Sequence, residues 1–134
     1  MTLLPLRLVQ GDDLRRATEA AVASHGASAA FVISGIGSLA VTKLRLAGAE
    51  AAIDVQGDVE ILTLAGSIAT NGSHLHMSVA DADGRVLGGH VAYGCMVRTT
   101  VELLLALLPG HRFTREPDAA TGYDELVIRS VPNI

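Results

Sequence analysis

The sequence is poor in the residues on which several large classes of function depend. Among 134 residues there is no Trp, and only two Phe and two Tyr, so there is no aromatic platform for stacking unpaired bases and the core has to be aliphatic. The one cysteine, Cys95, cannot close a disulfide within the chain. Ten Lys plus Arg stand against fourteen Asp plus Glu, a net charge of −4, and the longest basic run is Arg15-Arg16. A cationic stripe able to release counterions from a phosphate backbone is therefore missing. The longest apolar stretch near the end, Val101 to Pro109, carries Glu102 and is too short to span a bilayer. No charged start followed by an apolar segment marks a secretory signal. These absences set the expectation of a soluble, cytoplasmic protein with no membrane partner.

What is present is apolar and rich in glycine. Hydrophobic residues make up 49% of the chain and charged ones only 18%, which excludes intrinsic disorder as the default state. The length suits one ordinary domain, and no linker or charge block divides it, so residues 1–134 read as a single domain. Fourteen glycines point to turns and close backbone approaches rather than to a helical bundle.

The periodicity reads as one helix inside a run of strands. Leu4 to Val9 alternates as a short strand. Gly11-Asp12-Asp13-Leu14 resembles a helix entry in which Asp12 caps the free amides and Asp13 sits at the positive end of the dipole. Leu14, Ala17, Ala21 and Val22 then share a face, and His25-Gly26 is the stop. Ala30 to Ser34 reads as a buried strand, interrupted by Gly35-Ile36-Gly37-Ser38 as a turn or bulge, with Leu39 to Leu46 as the next strand. A weaker strand holds Ala52-Ile53-Asp54, and Val59 to Leu64 is a strong one ending near Gly66. Ser73 to Ala80 and Val86 to Tyr93 flank Asp83-Gly84 as a hairpin. Val97 to Leu108 has the length and Leu content of a helix but reads as a strand on Val97, Thr99, Thr100 and Val101, and Tyr123 to Ser130 as the last strand, after a loop at Pro117-Asp118. The expected fold class is α+β, a mainly antiparallel β-sheet flanked by one or two helices.

Three of the five histidines fall in this hairpin. His74 and His76 lie two apart in a strand and so share a face, while Leu75, Met77 and Val79 face the other way. Whether His90 joins them depends on register. A three-residue loop Ala82-Asp83-Gly84, with Gly84 left-handed, pairs Asp81 with Arg85. Counting back places His76 opposite His90 and His74 diagonal to it. The same count sets Val79 opposite Leu87 and Leu75 opposite Val91, on the face away from the histidines. A two-residue turn would put His90 on the apolar face, against the buried pattern.

Three imidazoles on one sheet face suit a divalent transition metal, most simply zinc, with a fourth position open to water or a small molecule. Such a position supports either activation of water or polarisation of a carbonyl or phosphoryl oxygen. Taken alone, the residues also fit imidazoles lining a water-filled polar cavity. Asp81 and Glu102 are the carboxylates near in sequence. His25 reads as a helix-end residue, His111 as a loop residue and Cys95 as a small buried hydrophobe. Ser34, Ser67 and Ser78 read as structural. No P-loop, nucleophile elbow or complete dinucleotide fingerprint occurs.

Several segments together resemble the plants-and-prokaryotes-conserved (PPC) domain family. They are Gly57-Asp58-Val59-Glu60-Ile61-Leu62-Thr63-Leu64-Ala65-Gly66-Ser67-Ile68, His74-Leu75-His76-Met77-Ser78-Val79-Ala80-Asp81, Asp83-Gly84-Arg85-Val86-Leu87-Gly88-Gly89-His90 and Gly94. Upstream, Arg7, Gly11-Asp12-Asp13-Leu14 and Ser34-Gly35-Ile36-Gly37-Ser38-Leu39 are also similar. The resemblance implies an antiparallel sheet with few helices, assembly as a homotrimer, and a metal at the positions of His74, His76 and His90. In the plant proteins the domain is joined to AT-hook segments built around Arg-Gly-Arg that grip DNA, and this chain contains no such tripeptide. That departure and the acidic balance argue against direct DNA binding. Two functions follow as expectations: a homotrimeric metal-binding protein, with a site that binds or acts on a small molecule, or a DNA-associated or assembly module working through partners without enzymatic activity. Family membership by itself names no reaction.

Overall fold

Alternating aliphatic residues become strands along most of the chain in the computed structural model, which describes residues 1–132. In chain order the elements are β1 (Thr2–Val9), α1 (Leu14–Ser24), β2 (Ala30–Arg45), β3 (Ile53–Val55), β4 (Val59–Ala69), β5 (Gly72–Ala80), β6 (Val86–Val91), β7 (Met96–Leu107), β8 (His111–Pro117) and β9 (Asp124–Ser130). The architecture is the expected α+β one, a mostly antiparallel sheet with, among the described residues, a single helix. No helix among the described residues is long and apolar enough to cross a membrane.

β2 organises the main sheet, whose strand order is β1-β7-β2-β4-β5-β6, all neighbours antiparallel. Its first part lies between β7 and β4, while its end reaches β6 through Leu44–Val91 and Arg45–His90 and carries the short β3. The sheet thus curls back on itself, with β5 and β6 held between β4 and the end of β2. Inside the curl lie Leu39, Leu44, Leu75, Val79, Val91, Val97, Val101 and Leu105, all essentially without solvent contact. Each such side chain contributes about 1.5–3 kcal/mol by leaving water. The core is aliphatic, as the scarcity of aromatics requires.

The helix closes one end of the core with Leu14, Thr18 and Val22. Its cap is Asp13, whose Oδ1 accepts from the Arg16 amide at 3.1 Å. The sequence pattern places the cap at Asp12, but the Asp12 carboxylate accepts instead from the Val9 amide at 2.9 Å and fixes the turn out of β1. The inner face carries Thr18 because its hydroxyl donates to the Leu14 carbonyl at 2.8 Å and so enters the core satisfied. The helix stops at His25 and Gly26, as expected.

Two expected breaks are continuous strand. Gly35 to Ser38 is the bulge and not the turn of the two expected possibilities: β2 runs through it as one strand, with register shifts between Val32 and Ser34 and between Gly37 and Leu39. β4 runs past Gly66, because that glycine marks a crossing rather than an end. It has φ 146°, and a Cβ built there would stand 2.0 Å from the His74 carbonyl oxygen. Val97 to Leu108, readable as helix or strand, is strand β7.

The sequence pattern suggests a loop at His111 and does not reveal β8. His111 is its first residue, and β8 pairs with β9 in a separate two-stranded sheet. Only Phe113 of β8 is buried, so the segment carries no apolar alternation to reveal it. Asn71, in the β4–β5 turn, ties this hairpin to the main sheet. Its Nδ2 donates to the Arg115 carbonyl at 2.9 Å and its Oδ1 accepts from the Arg115 amide at 2.7 Å.

Candidate metal centre

The histidine-bearing strands meet through a three-residue turn. Gly84 has φ 79°, the Asp81 amide donates to the Arg85 carbonyl at 2.9 Å and the Gly84 amide to the Asp81 carbonyl at 3.0 Å. The Asp81 carboxylate accepts from the Asp83 and Arg85 amides, both at 2.9 Å. Asp81 is therefore a turn-forming residue and not a neighbour of the imidazoles. Glu102 sits on β7, paired with Arg7 of β1 and Ile36 of β2.

From that turn the register runs Val79–Leu87, Ser78–Gly88, Met77–Gly89 and His76–His90. Along β5 exposure alternates, with Ser73, Leu75, Met77 and Val79 buried and His74 and His76 exposed. The structure brings His74, His76 and His90 together on the outer face of the hairpin.

One ring nitrogen from each histidine lies within 4.8 Å of the other two. His76 Nε2 lies 3.0 Å from His74 Nε2 and 3.2 Å from His90 Nδ1. The His74 and His90 rings lie nearly parallel, at 19°, with that of His76 close to perpendicular to both. A single imidazole nitrogen has one in-plane site, carrying either a proton or a lone pair. His76 Nε2 can therefore form one good hydrogen bond with its neighbours, not two. Three nitrogens turned toward one cation have no such conflict. Arms of about 2.0–2.1 Å in a tetrahedron give nitrogen–nitrogen edges of about 3.3 Å, close to the two separations that His76 makes.

The surroundings of His74 and His90 favour neutral rings with free lone pairs. Burial, followed by the neighbouring His76 and the Arg115 guanidinium, pushes the His74 pKa below its ordinary value. Burial and then the Arg45 guanidinium do the same for His90. Metal ligation needs the neutral form, so these shifts act in its favour near neutral pH.

Beside the cluster opens a cleft of about 740 Å³ whose walls include His74, His90, Arg15, Arg45 and Arg115. None of these arginines stands out in the sequence as a site residue, and Arg15 is visible there only as part of the longest basic run. Arg15 reaches from α1 to hold both histidine strands. It donates to Ser73 Oγ at 3.0 Å, to the Ser73 carbonyl at 2.8 Å and to the Val91 carbonyl at 3.3 Å.

The other expected roles are structural. His25 closes the helix, its Nδ1 2.8 Å from the Ala21 carbonyl. Cys95 has no exposed surface. Its sulfur accepts from the Lys43 amide and donates to the Lys43 carbonyl, both at 3.3 Å, and burial pushes its thiol pKa up.

With the fold and cluster in view, comparison with known proteins assigns the family. The family model for the Plants and Prokaryotes Conserved (PCC) domain, the PPC family of the sequence resemblance, matches residues 1–109. The chain belongs to the PCC domain family. The PCC chain is 44% identical over 131 residues to the bifunctional protein GlmU of Synechococcus sp. strain JA-2-3B'a(2-13), a match covering 98% of this chain and 21% of that protein. It thus spans about a fifth of the length of that curated relative. Among solved structures, a hypothetical protein from Salmonella enterica is 41% identical with a TM-score of 0.92, over 96% of this chain and 94% of that one. A protein from Archaeoglobus fulgidus described as metal-containing is 27% identical with a TM-score of 0.83, over 95% of this chain and 94% of that one.

Proposed function

We propose that this PCC-domain protein binds a divalent transition metal, zinc being the simplest choice, through His74 Nε2, His76 Nε2 and His90 Nδ1. The observation that carries the reading is the sharing of His76 Nε2 by two other ring nitrogens, a geometry that hydrogen bonding among three imidazoles does not satisfy. The metal-containing relative from Archaeoglobus fulgidus supports it. A three-histidine zinc supplies Lewis acidity and keeps a position for water or a small molecule. The chain's own contribution is to hold three imidazoles on one hairpin, with Arg15 fixing the strands beside His74 and His90.

The protein acts as a homotrimer in this reading. Phe31, Ile33, Ile36 and Val41 on β2 and Leu62 on the neighbouring β4 are exposed, apolar surface of the kind that assembly covers. The number three comes from the family resemblance, and light scattering of the eluted protein at three times the 13.9 kDa chain mass tests it.

Elemental analysis of protein purified without an affinity tag tests the metal. The expected result is one transition metal per chain in the wild type and a loss of most of it in His76→Ala. Equal metal content in both proteins would reject the site.

A further inference from the structure

The cleft beside the histidines concentrates positive charge in a protein that has little of it. Arg15, Arg45 and Arg115 come from α1, β2 and β8, far apart in sequence, and line one wall system with His74 and His90. All three are half-buried. Among the described residues, Arg16, Lys43, Arg85, Arg98 and Arg129 each have a carboxylate within 4.0 Å, whereas none of the three cleft arginines does. Asp124 and Glu125 also line the cleft without forming such a pair, so the arginines outnumber the carboxylates there.

The donors of two of these arginines are largely unspent. A guanidinium carries five N–H donors. Arg45 donates to the Ala49 carbonyl at 3.1 Å and Arg115 to the Asp124 carbonyl at 3.1 Å, each a single bond to a neutral group. Arg15, by contrast, is occupied with Ser73 and Val91 and contributes its charge. The field of all three reaches the imidazoles, since Arg115 and Arg15 act on His74 and Arg45 and Arg15 on His90. The volume of about 740 Å³ falls in the range of small-molecule sites, about 300–1,000 Å³. Gly48, Ala52, Gly72 and Ala92 on its walls keep it open.

We propose that this cleft seats a small molecule bearing a carboxylate or a phosphate, its oxyanion held by the guanidinium groups of Arg45 and Arg115 and its remaining part lying beside His74 and His90. The arginine contacts stand on their own, while the role of the second end rests on the metal reading. Paired donors on a partly desolvated guanidinium are matched to the geometry of a carboxylate or phosphate. An oxyanion there also supplies the counter-charge that the three arginines lack.

Titration calorimetry at fixed ionic strength tests this, using the full chain incubated with zinc chloride and then titrated with malonate or with glycerol 3-phosphate. Metal content is measured on the same samples. The expected result is saturable binding of at least one probe, the stronger of the two identifying the head group. Arg45→Gln and Arg115→Gln should each weaken it by about tenfold to a hundredfold, with thermal midpoint and metal content unchanged. If the wild type takes up no metal but still binds a probe in an arginine-dependent way, the metal reading fails and the anion site stands. No saturable binding of either probe, or wild-type affinity in both variants, overturns the anion site. So does arginine-dependent, steeply salt-sensitive binding of duplex DNA in the absence of any small-probe binding, which would assign the arginines to a nucleic acid.

Discussion

Arg15 and Ser73 are 58 positions apart in sequence, and the guanidinium of the first grips the second twice, at Oγ over 3.0 Å and at the carbonyl over 2.8 Å. A third bond reaches the Val91 carbonyl at 3.3 Å. Ser73 precedes His74 and Val91 follows His90, so one helical side chain pins the two strands that carry the imidazoles. Arg15 is a positioning residue for the cluster. Arg15→Met, which keeps much of the aliphatic stem, is expected to weaken zinc binding by about tenfold, as loss of a supporting contact does. Competition with a chromophoric chelator measures it. Because a general loss of stability would not by itself alter affinity in the folded protein, the measurement is made well below the unfolding transition. Unchanged affinity would remove Arg15 from the account.

Gly66 and His74 make a second constraint. Gly66 pairs with Leu75, and a Cβ there would fall 2.0 Å from the His74 carbonyl oxygen, so the backbones of β4 and β5 meet at this point with no room between them. Gly66→Ala is expected to cost about 3 kcal/mol or more, through overpacking and a φ that alanine resists. Gly84→Ala, at a turn position with open space around it, should cost less, about 1 kcal/mol. Urea unfolding of the two variants side by side checks the order, and a smaller loss at Gly66 would contradict the close approach.

Protonation acts on the metal-free protein with a definite sign. His74 and His90 hold protons more weakly in the folded chain than in the unfolded one. As pH falls through the ordinary histidine value of about 6.5, the unfolded chain takes up protons first. Stability is therefore lost between that value and the lower folded values, and the loss levels off below them. The proposed zinc binding is expected to decline over the same acid range and to hold at neutral pH. The urea midpoint of the metal-free wild type should drop from pH 7.5 to pH 5 by more than that of a His74→Gln, His90→Gln double variant. A larger drop in the variant would contradict the shift.

The hairpin was legible because its information is local. Asp81, Gly84 and the alternation from Ser73 to Val79 fix the turn and the buried face, and these together set His76 opposite His90. The arginine wall was not legible because nothing local encodes it. Arg15 finds Ser73 only after α1 docks, and Arg115 arrives on β8, where Phe113 alone is buried. The misread glycines have a related cause. Gly37 and Gly66 sit where two backbones approach within the space of a side chain, and a glycine of that kind looks in sequence like one that ends a strand. Asp12 and Asp13 differ by one position, and docking decided between them. The Asp13 carboxylate also accepts from the Gly94 amide at 2.7 Å, a contact no helix-capping rule anticipates.

Diffraction from crystals of zinc-loaded protein, recorded on both sides of the zinc absorption edge, tests the metal centre most directly. The account predicts one anomalous peak per chain within coordination distance, about 2.0–2.1 Å, of His74 Nε2, His76 Nε2 and His90 Nδ1 together. Crystals whose zinc lies elsewhere, or touches fewer than all three of these nitrogens, would contradict it.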